Sequence, residues 1–247
     1  MLKKLISSIL IVSLTLSFSA CGKIAKQEVD KGTVSTTSSP EAKDSGTEKK
    51  DTSSSKKIDL GTSEGSVYKN EYFNMTITIP DKWIVATDAE KNDLIQKGKQ
   101  VVAPNDKDKQ KQMDYSLEKT VYLLATSEKG LAVNDTTNPN FIAIAEKLNF
   151  AQGVVVSDGK AYLEQVKKGL QGIAQIPYKF EKEIYTEKVG NKDFYVLEAT
   201  ASNGNVKLVQ KYYATKIGDY ALSFIATRYN DEQGKKLDTM IKDISFK

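Results

Sequence analysis

Histidine is absent from this chain, while cysteine, arginine and tryptophan occur once each. Each shortage excludes chemistry. Without histidine there is no Ser-His-Asp or Cys-His catalytic arrangement and no His-containing metal site. A lone cysteine, Cys21, cannot form a disulfide within one chain. It also leaves no thiolate set for zinc or an iron–sulfur cluster. The single arginine, Arg228, argues against nucleic-acid reading, which favours bidentate guanidinium contacts. Long apolar runs are missing too. The stretch from Leu5 to Phe18 is interrupted by Ser and Thr, and a membrane-spanning helix needs about 20 mainly apolar residues.

What is present begins with Lys3 and Lys4, then that apolar stretch, then the small residues Ser19 and Ala20 directly before Cys21. Positive end, apolar run and small residues, in that order, read as an export signal. The segment ending at Cys21 resembles the lipobox of bacterial lipoproteins, with Phe18 in place of the usual leucine. The resemblance implies that Cys21 carries a lipid and becomes the N-terminus after cleavage. It also implies that the chain is held at the extracytoplasmic face of the cell membrane by that lipid.

Residues 22–65 contain almost no large apolar side chains and are rich in Ser, Thr, Lys and Glu. Such a segment cannot bury enough apolar surface to offset its ordering entropy, and the expectation is a disordered tether. Forty-four residues of flexible coil span roughly 35–40 Å. Residues 67–247 suffice for one domain with a full core. They hold 26 basic and 24 acidic residues, so they carry only +2 of the chain's net charge of +4.

Within that domain, Phe73, Met75, Ile77 and Ile79 alternate with polar residues, predicting a strand inside 67–79 that ends at Pro80. Trp83-Ile84-Val85 predicts a short strand. Asp88 is placed as the cap of a helix over 89–97. Residues 98–116 are polar and charged and read as a long loop. Strands are expected over 118–126 and 141–146. A helix is expected after Asp158, because Tyr162, Leu163, Val166, Leu170 and Ile173 fall on one stripe. Residues 180–228 read as an antiparallel meander with an Asn203-Gly204 turn, in which Gly204 takes a positive φ. That turn pairs Ala201 with Val206, Ala199 with Leu208, Tyr195 with Tyr212 and Glu198 with Val209. Both faces of this meander are partly apolar, so both are expected to be covered. Asp231 starts a final helix, and Ile244 and Phe246 close the chain.

Two ligand motifs fail on inspection. Gly153 to Ala161 has five residues between its glycines and Ala161 where a phosphate loop needs Ser or Thr. Counted from Asp106, a calcium loop would need Gly at Lys111 and Glu at Leu117. Tyr212, Tyr213, Tyr220 and Tyr229 at strand spacing read as core and sheet surface. No cofactor and no catalytic residue is expected.

The stretch Tyr72-Phe73-Asn74-Met75-Thr76-Ile77-Thr78-Ile79-Pro80-Asp81-Lys82-Trp83 resembles the opening of PsbP-like domains. Tyr220 to Thr227, followed by a helix and Ile244-Ser245-Phe246, is similar to their close. The resemblance implies an α+β fold, an α/β/α sandwich around a central antiparallel sheet, and an accessory binding role. The leading expectation is therefore a non-enzymatic surface lipoprotein that binds an envelope protein or small ligand. A structural subunit of an envelope complex and a histidine-free hydrolase are the alternatives. An exposed apolar patch would favour the first alternative, and a pocket of perturbed carboxylates the second. Lys99, Lys107, Asp108, Lys109 and Lys111 in the 98–116 segment are the expected partner contacts.

Overall fold

A computed structural model describes residues 58–247 apart from 134, 136 and 204. Cys21, the export signal and most of the expected tether lie outside the described residues. The elements run in chain order as β1 (Thr62–Glu64), β2 (Val67–Asn70), β3 (Met75–Thr78), β4 (Ile84–Val85), α1 (Asp88–Val102), α2 (Lys107–Leu117), β5 (Thr120–Ser127) and β6 (Asn140–Lys147). They continue as α3 (Phe150–Val155), α4 (Gly159–Gln171), β7 (Tyr185–Val189), β8 (Lys192–Asn203), β9 (Val206–Ile217), β10 (Tyr220–Arg228), α5 (Asp231–Lys242) and β11 (Ser245–Phe246).

A seven-stranded antiparallel sheet, ordered β4-β5-β6-β10-β9-β8-β7, forms the middle layer. Its central strands are buried on both faces, as the two-sided apolar pattern of β8 and β9 requires. On one face Leu94, Val101 and Val102 of α1, Met113 of α2 and the stripe Tyr162, Leu163, Val166 and Leu170 of α4 pack against Ile142, Ile144, Leu197, Tyr212 and Ile225. On the other, α5 and a small sheet ordered β1-β2-β3-β11 bury Met75, Ile77, Leu237, Met240 and Phe246 against Phe141, Phe194 and Phe224. The architecture is α+β, with helices on both sides of a central antiparallel sheet.

Several expectations change. The strand foreseen within 67–79 is a hairpin. Asn70 accepts a hydrogen bond from the Phe73 backbone N–H at 3.0 Å, and Asn74 has φ 50; both turn the chain after β2. β1 pairs with β2, so ordered structure begins before residue 67. Thr87 caps α1, with Glu90 completing a capping box that the Thr-Asp-Ala-Glu order already contains.

Residues 98–116 are not a loop. α1 continues to Val102, Pro104-Asn105 makes the corner, and Asp106 caps α2 by accepting the Lys109 N–H at 2.9 Å. Polar composition suggested a loop because only a thin inner edge of α2, Met113 and Ser116, is buried.

The β8–β9 hairpin keeps its faces but not its pairing. Asn203 faces Val206, Ala201 faces Leu208, Ala199 faces Gln210 and Tyr195 faces Ala214. The connecting residues are thus Gly204-Asn205 and not Asn203-Gly204. Glu198 now lies directly opposite Lys211, a better charge match than Val209. The expected φ of Gly204 falls outside the described residues.

Candidate functional site

The helix-covered face of the sheet is apolar in its middle and polar at both ends. Pairing alone places the polar residues. Near one end, Ser127 of β5, Asn140 of β6, Thr227 of β10 and Gln210 of β9 occupy directly paired positions on four neighbouring strands. All four are at most 1% exposed. Their side chains point to the same face as Ala125, Ile142, Ile225 and Tyr212, two residues away on each strand.

Hydrogen bonds organise half of this row. Tyr178 and Tyr212 both donate to Gln210 Oε1, at 2.9 and 2.7 Å, and Gln210 Nε2 donates to Thr227 Oγ1 at 3.2 Å. Asn140 Nδ2 donates to the Asn138 carbonyl at 3.2 Å. Ser127 Oγ and Asn140 Oδ1, on adjacent strands, are buried with no hydrogen-bond partner. Such groups are uncommon in a folded core, because each costs its desolvation.

Half-buried Tyr178 and Tyr229 stand at the margin of the row. Burial pushes both phenols well above their ordinary range, so they remain hydrogen-bond donors at neutral pH. The adjoining 128–139 connection is tied down by Asn138, which accepts from Lys129 N at 3.0 Å and donates to the Gly130 carbonyl at 2.9 Å. Lys129 and two contacts from Thr137 hold the Asp135 carboxyl down at about 2.

The opposite end carries a second row: Thr120 of β5, Glu146 of β6, Ala221 of β10 and Lys216 of β9. Glu146 is fully buried. Its Oε2 accepts from Tyr162 at 3.1 Å, while its Oε1 and the nearby Tyr122 hydroxyl have no hydrogen-bond partner. Burial raises the carboxyl to about 8, against the smaller opposing pulls of the Tyr162 hydrogen bond and Lys119. This is a perturbed carboxylate of the kind a hydrolase would use, yet it stands beside tyrosines, with no second carboxylate on its row.

The expected contact residues do not converge. Lys99 lies on α1, turned inward onto Asp114 of α2. Lys107, Asp108 and Lys111 are exposed on α2, and Lys109 is half-buried. Tyr212 is core, as its spacing predicts, and its hydroxyl also meets Tyr178 at Gln210. The signal for this row is the set of polar residues at inward positions of apolar strands. It becomes visible only once pairing aligns the strands.

Among the described residues no group of His, Cys, Asp and Glu could hold a metal ion, and no helix is long and apolar enough to cross a membrane.

The fold defines an α+β domain built on a central antiparallel sheet. No family model and no curated protein matches the chain. Among solved structures, cyanobacterial PsbP of Synechocystis sp. is similar, with a TM-score of 0.46 and 12% identity over 76% of this chain and 96% of that one. LpqN of Mycobacterium tuberculosis, described as involved in cell envelope biogenesis, is similar with a TM-score of 0.39 and 11% identity over 69% of this chain and 82% of that one. A protein of Bacteroides thetaiotaomicron is similar with a TM-score of 0.39 and 11% identity, and the match spans 45% of its length.

Proposed function

We propose that the chain is a lipid-anchored extracytoplasmic recognition protein, non-enzymatic, whose domain binds a small uncharged ligand on the helix-covered face. The observation that carries this reading is the Ser127–Asn140–Thr227–Gln210 row. It is neutral throughout, two of its polar atoms are unpartnered, and two tyrosines, Tyr178 and Tyr212, donate to it. Polar atoms converging within an otherwise apolar surround are the usual composition of a small-molecule site. Neutral partners suit a ligand without charge, since a buried charge would demand a counter-charge. Membrane placement rests on the export signal and Cys21. A tether of the length expected here would leave the domain free to turn while keeping it near envelope partners.

The experiment is native mass spectrometry of the full chain, purified without denaturation from cells that export it. A bound small molecule released on unfolding is the expected result. Ligand-free protein that cross-links specifically to one envelope protein in intact cells would replace this reading with that of an assembly subunit. Turnover of an ester, peptide or phosphate library would replace it with that of a hydrolase.

A further inference from the structure

The two ends of the central sheet carry different things. The end opposite the Ser127–Asn140–Thr227–Gln210 row holds the β7–β8 turn at Gly190, the β9–β10 turn at Gly218, the last turn of α2 and α3. The described chain also enters there. Asn70 Nδ2 donates to the Asp59 carbonyl at 3.0 Å, and Thr62 pairs with Lys69, so Leu60 lies level with the turn between β2 and β3. Tyr72 of that turn meets the Tyr220 ring edge-on at 5.4 Å. Tyr220 pairs with Lys147, and the Leu148 N–H donates to the Asp219 carbonyl at 2.8 Å, just before α3.

This end also exposes apolar side chains. Tyr115 is 59% exposed, Val154 69% and Val155 53%. They are held outward by what lies behind them. Lys119 Nζ sits 3.9 Å from the Tyr115 ring centre and donates to Gln152 Oε1 at 3.5 Å, which links α2 to α3. Lys216 Nζ donates to the Gly153 and Val156 carbonyls at 3.1 and 3.0 Å, and Val156 is fully buried. The backbone on either side of the two valines is therefore fastened while their side chains face water. Single exposed apolar residues are ordinary on a protein surface. Here two adjacent ones are fixed outward with a tyrosine close by.

Three side chains fall far short of the roughly 800 Å² per partner that a stable protein interface buries. A bilayer surface asks less. Tyrosine and lysine are residue types of the headgroup region, the ring and the lysine stem lying along apolar surface while the polar tips stay wet. The flanking charges are mixed, Lys119, Lys147 and Lys216 against Glu118 and Asp219, so apolar contact and not net charge sets the fit. A tether raises the local concentration to the millimolar range, so a contact too weak to form from solution is still occupied. As a coil, the chain between Cys21 and Ile58 would span roughly 30–36 Å. That is about the breadth of a domain of this size. The anchor alone therefore leaves other orientations within reach, and the apolar tip selects among them.

We infer that this end of the domain, with Tyr115, Val154 and Val155 at its tip, rests in the headgroup region of the bilayer that holds the lipid anchor, and so turns the polar row at the opposite end outward. The inference rests on the anchored placement proposed above and not on the ligand.

The test uses the full exported chain in vesicles of phosphatidylcholine and phosphatidylglycerol, with one environment-sensitive thiol dye. An acylated Cys21 is blocked as a thioether, so only an introduced cysteine takes the dye. Val154→Cys carries the probe. Val133→Cys is the control, because Val133 is also exposed, at 45%, in the 128–139 connection at the far end. Lipid spin-labelled near its headgroup should quench position 154 several-fold more than position 133. Adding Val155→Asp to the Val154→Cys chain should bring the two positions together, with the thermal midpoint unchanged because the side chain is exposed. Equal quenching at both positions, or none at 154, overturns the inference. A blue shift at 154 that grows with protein concentration and is not quenched by lipid also overturns it, since a second copy would then cover the tip. Dye uptake by Cys21 in the otherwise unaltered chain would refute the anchor by itself. The same two probes in a Cys21→Ser chain with added vesicles then decide the contact: selective quenching at 154 upholds it, and its absence ends it.

Discussion

Replacing Gln210 by leucine tests whether the first polar row is a working network. The substitution conserves approximate volume and removes three hydrogen bonds, to Tyr178, Tyr212 and Thr227. At about 0.5–1.5 kcal/mol net each, these amount to roughly 3 kcal/mol. The fully buried Thr227 hydroxyl would lose its donor, which adds a desolvation cost. Burial of the apolar leucine offsets part, about 1–2 kcal/mol. A net loss of about 2–4 kcal/mol is expected. Ser127→Ala, on the same row, should behave oppositely. Its hydroxyl has no partner, so removing it should cost nothing beyond about 0.5 kcal/mol, or should stabilise slightly. Urea denaturation of both variants beside the wild type, with unchanged slope, supplies the comparison. A Gln210→Leu loss below about 0.5 kcal/mol, or a larger loss for Ser127→Ala than for Gln210→Leu, would refute the division of the row into satisfied and unsatisfied halves.

Gly159 begins α4 where the helix meets β9, and a Cβ there would overlap the Ala214 carbonyl oxygen and lie 3.1 Å from Thr215 Cα. Gly159→Ala should therefore cost about 1–3 kcal/mol in the same assay, despite alanine's better helix propensity; a stabilised variant would show that α4 can move off the sheet at little cost. Cys21→Ser should shift the protein from the detergent phase to the aqueous phase or leave the precursor unprocessed, and unchanged partitioning would show that Cys21 is not the anchor.

The helices and strands with strong periodicity were legible in the sequence. The stripe from Tyr162 to Leu170 announces α4, and the alternation from Phe73 to Ile79 announces apolar strand structure, because buried faces impose their period on the residues. Cys21 and the polar segment after it state their expectations by composition alone. The helical hairpin of α1 and α2 was hidden. Few of its side chains face the core, and the signals present, Thr87 with Glu90 and Asp106, are local caps that a polar run obscures.

The two polar rows belong to the other category. Ser127, Asn140, Thr227 and Gln210 are far apart in sequence, and nothing in the flanking residues of one names the others. Strand pairing brings them side by side, and a two-residue shift in pairing, such as that between the expected and observed β8–β9 hairpins, would have aligned different residues. Glu146 likewise reads as one charged residue among many in the chain. Only the closure of α4 and the neighbouring strands over it removes water and turns an ordinary carboxyl into one that keeps its proton near neutrality. The sequence by itself determined the strongly periodic elements, α4 and the long strands of the sheet among them, since those depend on local pattern. Tertiary structure decided which polar groups meet and which of them lose their solvent, because pairing register and burial depend on residues far apart in the chain.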